Sequence, residues 1–134
     1  MTLSVFVNDA SADPDDTDAT LIRPAGFETY RKALWGTPAM KSRAPMLSEI
    51  ANDLYVKPEQ FDEFERQCHV IDEAAEEIAA ELFTNRRKSF WAFLKRENPN
   101  QQIGMAEDIK RYARNFLEAV DFARSKNSHE ISIG

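Results

Sequence analysis

From Pro58 onward the apolar positions fall at Phe61, Phe64, Cys68, Ile71, Ala75, Ile78 and Leu82, with spacings of 3, 4, 3, 4, 3 and 4. A sustained alternation of threes and fours marks a helix with one narrow buried seam. The spacing therefore predicts an acidic amphipathic helix over 58–83. Its other faces carry Asp62, Glu63, Glu65, Asp72, Glu73, Glu76, Glu77 and Glu81, and Arg66 is the only Lys or Arg between Glu59 and Glu81. A second helical pattern runs through Met105, Ile109, Tyr112, Ala113, Phe116, Leu117, Val120 and Ala123, with Lys110, Arg111 and Arg114 on the polar side and Asn127 as its stop. Between the two, Thr84-Asn85 predicts a break, because both residues cap helices better than they continue them. Phe90, Trp91, Phe93 and Leu94 then give a shorter helix that Asn98-Pro99-Asn100 ends. Residues 84–127 thus read as basic-faced helices.

The first half of the chain is less regular. Leu3-Ser4-Val5-Phe6-Val7 is rich in β-branched and aromatic residues and predicts a strand. The following stretch, with Asp9, Asp13, Pro14, Asp15, Asp16 and Asp18, reads as a solvated loop, so 1–22 forms a strand plus an acidic loop. Pro24 and Gly26 introduce a helical stretch carrying Phe27, Tyr30 and Leu34, which Gly36-Thr37-Pro38 stops. Lys41 to Ala44 reads as a polar connector. Pro45 suits a first helical turn, with Leu47, Ile50 and Leu54 as a short apolar face. Glu130 to Gly134 alternates polar and apolar residues and reads as a terminal strand pairing with Leu3–Val7. A two-stranded ribbon of this kind needs helices to pack on. The expected fold class is mainly α: one domain over 1–134, a bundle of four to five helices with a small two-stranded ribbon from the chain termini.

Charge sharpens this picture. Residues 1–83 hold 17 acidic and 7 basic side chains, a net of −10, and residues 84–134 hold 6 acidic and 10 basic, a net of +4, which together give the chain's −6. The acidic half favours a basic partner and makes nucleic acid an unfavourable one. With 43% hydrophobic and 30% charged residues, the composition is that of a folded globular chain. No apolar run approaches the roughly 20 residues a membrane-spanning helix needs, and Met1 to Val5 lacks the marks of a signal peptide. Cys68 is the single cysteine, which leaves no internal disulfide and fits a cytoplasmic location.

Candidate chemistry is sparse. Carboxylates clustered in one flexible loop suit a hard cation, but counting from Asp13 places Pro24 where an EF-hand needs its bidentate Glu, and counting from Asp9 places Thr20 there. No metal or cofactor is expected. Cys68 and His69 are adjacent on a helix and so do not face each other, which argues against a nucleophile–base pair. Cations and aromatics mix at Arg86-Arg87-Lys88, Phe90, Trp91, Lys95 and Arg96, a composition that serves single-strand binding. Here the aromatics fall at helical spacing, as core residues do, and the cations are placed to face the acidic helix. Arg124 and His129, separated by four residues, resemble the short motif of HEPN-type ribonucleases, which are small helical domains. That resemblance implies a dimer in which Arg124 meets the phosphate charge and His129 transfers the proton.

The acidic helix carries the leading expectation. Asp72–Glu76, Glu73–Glu77 and Glu77–Glu81 are like-charge pairs at i,i+4, each costing a helix a few tenths of a kcal/mol, and such a face gains by steering a basic partner. The expected function is an acidic protein-binding inhibitor, most concretely an immunity-type protein that neutralises a bacterial toxin domain. It would act through Asp72, Glu73, Glu76 and Glu77, with Asp15 and Asp16 in support. The alternatives are a HEPN-like ribonuclease and a structural or adaptor subunit that joins a partner helix through the Phe61–Leu82 seam.

Overall fold

In the computed structural model, residues 2–8, 20–88 and 99–134 are described, with side chains for all of these except 85–88 and 99–102. Strand β1 (Thr2–Asn8) alternates: Leu3, Val5 and Val7 are buried while Thr2, Phe6 and Asn8 face outward. It pairs antiparallel with β2 (Thr20–Phe27) on one side and with the chain's last strand on the other. Among the described residues the strands form one four-stranded antiparallel sheet in the order β2-β1-β4-β3, with β3 spanning Leu54–Val56 and β4 spanning Ile131–Ile133. The protein is therefore a mixed α and β domain, which corrects the expected mainly α bundle. Leu3–Val7 does lie beside the C-terminal strand, but as the two central strands of a sheet rather than as a ribbon.

The two additional strands have a physical origin. In β3, Leu54 and Val56 are buried and Tyr55 is exposed, a period of two too short to stand out against the helical spacing of Leu47, Ile50 and Leu54. Strand β2 tolerates Pro24 because it is an edge strand, where a missing N–H breaks no ladder. The register steps from Leu3↔Gly26 to Ser4↔Pro24, leaving Ala25 as a bulge. Bulge, proline and the inward-facing Arg23, which reaches Glu118 at 2.9 Å, together block this edge against further strand pairing. Gly26 sits at φ 118°, a conformation that side chains disfavour.

Between β2 and β3 the chain makes a π-helical turn, Arg31–Trp35, closed by the Gly36 N–H donating to Arg31 O at 2.8 Å. Helix α1 (Pro38–Arg43) follows, its start capped by the Thr37 hydroxyl, and then the single turn α2 (Pro45–Ser48). The Arg31 guanidinium ties this region together by donating to the carbonyls of Ile50 and Asn52 and pairing with Asp53 at 3.0 Å.

The expected helix over 58–83 is two helices, α3 (Phe61–Glu73) and α4 (Ala75–Lys88), separated at Ala74. The break expected at Thr84-Asn85 does not occur, since α4 continues to Lys88. The expected helix around Phe90, Trp91, Phe93 and Leu94 lies outside the described residues. Every seam residue from Phe61 to Leu82 is buried. Helix α5 (Pro99–Ser125) packs against both α3 and α4, and against β1, β2 and β4 of the sheet. It ends where Asn127 adopts φ 51°. An aromatic chain crosses this centre: Tyr112 lies 6.2 Å from Trp35, Trp35 lies 5.5 Å from Phe116, and Phe116 lies 5.9 Å from Phe64.

Candidate functional site

The acidic surface is built by α3 and α4, and much of its charge is matched from within. At the start of α3, Asp62 and Glu65 both grip Arg124 from the last turn of α5, with the Glu65 contact at 2.6 Å. Glu63 accepts from Arg66 at 2.8 Å and from Gln67 at 2.9 Å. On α4, Glu76 pairs with Lys110 of α5, and Arg43 of α1 reaches Glu81 at 2.8 Å and Glu77 at 3.9 Å. Two of the cations, Lys110 and Arg124, come from the basic half of the chain, so part of the charge split cancels inside the fold.

The break at Ala74 changes the energetics of what remains. Glu76 and Glu77 stand in the first turn of α4, where the helix dipole favours negative charge. Asp72 and Glu73 stand in the last turn of α3, where it opposes it. Two of the like-charge pairs, Asp72–Glu76 and Glu73–Glu77, therefore straddle the interruption, and the third, Glu77–Glu81, has Arg43 between its members. Asp72 and Glu73 have no ion pair or side-chain hydrogen bond among the described residues. Glu76 and Glu77, although paired, keep 64% and 77% of their side-chain surface in solvent. The arrangement is a ridge of four carboxylates at the α3–α4 junction, two of them without an ion pair among the described residues.

The matched carboxylates predict an acid-sensitive fold. The Arg66 guanidinium, aided by Gln67, holds the Glu63 carboxyl down at about 2, against an ordinary 4.5. Lys110, Arg43 and Lys57 likewise lower Glu76, Glu81 and Glu130. A carboxylate with a depressed folded pKa contributes stability above its unfolded pKa and loses it as pH falls through the folded value. Urea midpoints should therefore stay level down to about pH 5 and fall progressively toward pH 2. Glu63→Gln should flatten the most acidic part of that fall.

The other sequence-derived candidates are distributed differently. Asp15 and Asp16, with the rest of the aspartate loop, lie outside the described residues. Cys68 is buried, and burial pushes its thiol pKa up, so it is held as a neutral core group, while His69 next to it is exposed. Arg124 is occupied by two carboxylates of α3. His129 instead lines a shallow recess of about 190 Å³ with Phe6, Asn8, Glu130 and Ser132. No hydrogen bond joins Arg124 to His129 among the described residues. No group of three or more His, Cys, Asp or Glu is arranged to hold a metal among the described residues, and no described helix is long and apolar enough to cross a membrane.

Two residues that shape the acidic surface were not singled out by sequence. Arg43, in a stretch read as a polar connector, pins α1 to α4. Gln67, although buried, accepts from the Met46 N–H at 2.8 Å and donates to Glu63, joining α2 to α3. Its signal was present in the sequence as a polar residue next to the Phe64–Cys68 seam. Comparison of the chain with protein-family models, with curated proteins and with solved structures gives no match.

Proposed function

We propose that this is a cytoplasmic, protein-binding inhibitor of the immunity type, which neutralises a basic toxin domain through the carboxylate ridge at the α3–α4 junction. One observation carries the reading: among the described residues Asp72 and Glu73 have no ion pair at the unfavourable end of α3, while the carboxylates on either side have cationic partners. Among the described residues ion pairs run along most of this surface and leave the charge at its centre open to a basic partner. Ridge carboxylates exposed to this degree act mainly on the association rate, by steering the encounter, and the effect weakens with salt.

The test takes as partner the purified product of an adjacent reading frame, chosen on the condition that it encodes a basic toxin-like domain, with stopped-flow mixing as readout. The Asp72→Lys/Glu73→Lys protein should associate at least about tenfold more slowly than wild type at low salt, with the difference shrinking as salt is raised. Equal association rates at low salt would reject the ridge as the binding surface, and absence of any complex would reject the inhibitor reading for that partner. A contact of Arg124 with two carboxylates leaves no comparable support for the ribonuclease alternative.

A further inference from the structure

The sheet has one face packed on helices and one face in solvent, and the solvent face is unusual for this chain. Alternation and register place Phe6, Ile22, Ser132 and Tyr55 in one row across all four strands: Phe6 opposes Ile22 on one side and Ser132 on the other, and Ser132 opposes Tyr55. Ile22 is 55% exposed, Tyr55 54% and Phe6 37%. No outward position of the four strands carries Asp, Glu, Lys or Arg, although 30% of the chain is charged. The one charged residue of β2, Arg23, turns inward to Glu118. At the corner of the face lies the recess between Phe6, Asn8, His129, Glu130 and Ser132.

We infer that this face is where a second copy of the chain docks, sheet against sheet about a twofold axis. The argument is electrostatic and geometric. An isologous interface brings each patch against its own copy, residue i meeting residue j and j meeting i, so a patch of one sign meets its like. A chain with a net charge of −6 repels itself over most of its surface, whereas the outward strand positions here are uncharged and Glu130 at the recess is already paired with Lys57, which removes that obstacle where the apolar row lies. Tyr55 stands beside the recess, separated from it by the Ser132 position, so a twofold axis near Ser132 lets each copy's Tyr55 meet the other's recess. The acidic ridge belongs to α3 and α4, so it is not part of this interface and the proposed inhibitor function does not depend on it.

The size of the face sets the strength. A strand of 7 residues and three inter-strand spacings bound the face at roughly 350 Å² per copy, less than half the ~800 Å² of a standard interface. The dimer is therefore weak, of the small and transient class. Sedimentation equilibrium of the full chain from about 5 µM to 1 mM tests this. Wild type should shift from monomer to dimer across that range, and the shift should persist or strengthen at high salt because screening relieves the repulsion between two acidic copies. Ile22→Lys and Tyr55→Lys, each at a position more than half exposed, should keep the melting temperature and weaken dimerisation at least about tenfold. Glu73→Lys should leave dimerisation in place. A wild type that stays monomeric at 1 mM overturns the inference, as does a dimer indifferent to both lysine variants or one that dissociates as salt is added.

Discussion

Phe116→Ala is expected to lower the free energy of unfolding by about 3–5 kcal/mol, the range for emptying a large aromatic site in a packed core. Phe116 is fully buried on α5 and contacts Trp35 from the π-helical turn and Phe64 from α3. Its removal leaves two rings without their shared neighbour, and both are held by other contacts that limit collapse into the space. Trp35 in particular is fixed by its indole N–H, which donates to Ala25 O at 3.1 Å. Urea unfolding followed by circular dichroism should show a lower midpoint with little change in slope. A loss below about 1 kcal/mol would mean that the three rings do not form one packed unit.

The second large effect is expected at Gly26. A Cβ placed there would sit 2.7 Å from Tyr30 Cδ2, and the backbone is at φ 118°. Gly26→Ala combines an unfavourable backbone conformation, worth about 1–3 kcal/mol, with displacement of an aromatic ring rather than of a flexible side-chain end. Tyr30 is packed edge-on against Tyr112 at 6.3 Å, and its hydroxyl donates to Asp108 at 3.3 Å. The strain therefore passes from the edge strand to α5. A loss of about 2–3 kcal/mol is expected by urea unfolding, accompanied by a change in near-ultraviolet dichroism as the tyrosines shift. A neutral Gly26→Ala protein would show that β2 ends in a conformation open to any residue.

Phe116, Gly26 and the residues around them also show what was legible in the chain. The seam of α3 and α4 and the apolar stripe of α5 were readable because each repeats at helical spacing over several turns, and burial of such a stripe does not depend on what covers it. Strand β2 was not readable because every local mark on it points elsewhere. Pro24 and Gly26 look like the start of a helix, and Arg23 interrupts the apolar alternation. Its place in the sheet comes from pairing with β1 and from the Arg23–Glu118 contact, neither of which is a local property of residues 20–27. Strand β3 was hidden because Leu54 fits two periods at once. The carboxylates of the ridge were visible in the sequence, but their matching was not: Lys110, Arg43 and Arg124 approach from 34, 34 to 38, and 59 to 62 positions away. The interruption at Ala74, which decides which carboxylates the helix dipole supports, falls in a run of residues that all favour helix.

The strand order β2-β1-β4-β3 has a consequence for how the protein is made. Strand β3 leaves the ribosome as Leu54–Val56, yet its strand neighbour among the described residues is Ile131–Ile133, synthesised some 75 residues later. Until then the β1–β2 hairpin and β3 are separate pieces, and the buried faces of Leu54 and Val56 have helices but no ladder to join. The β3–β4 ladder therefore cannot form until residues 131–133 are made, and it closes a long loop, a pairing of the kind that slows folding.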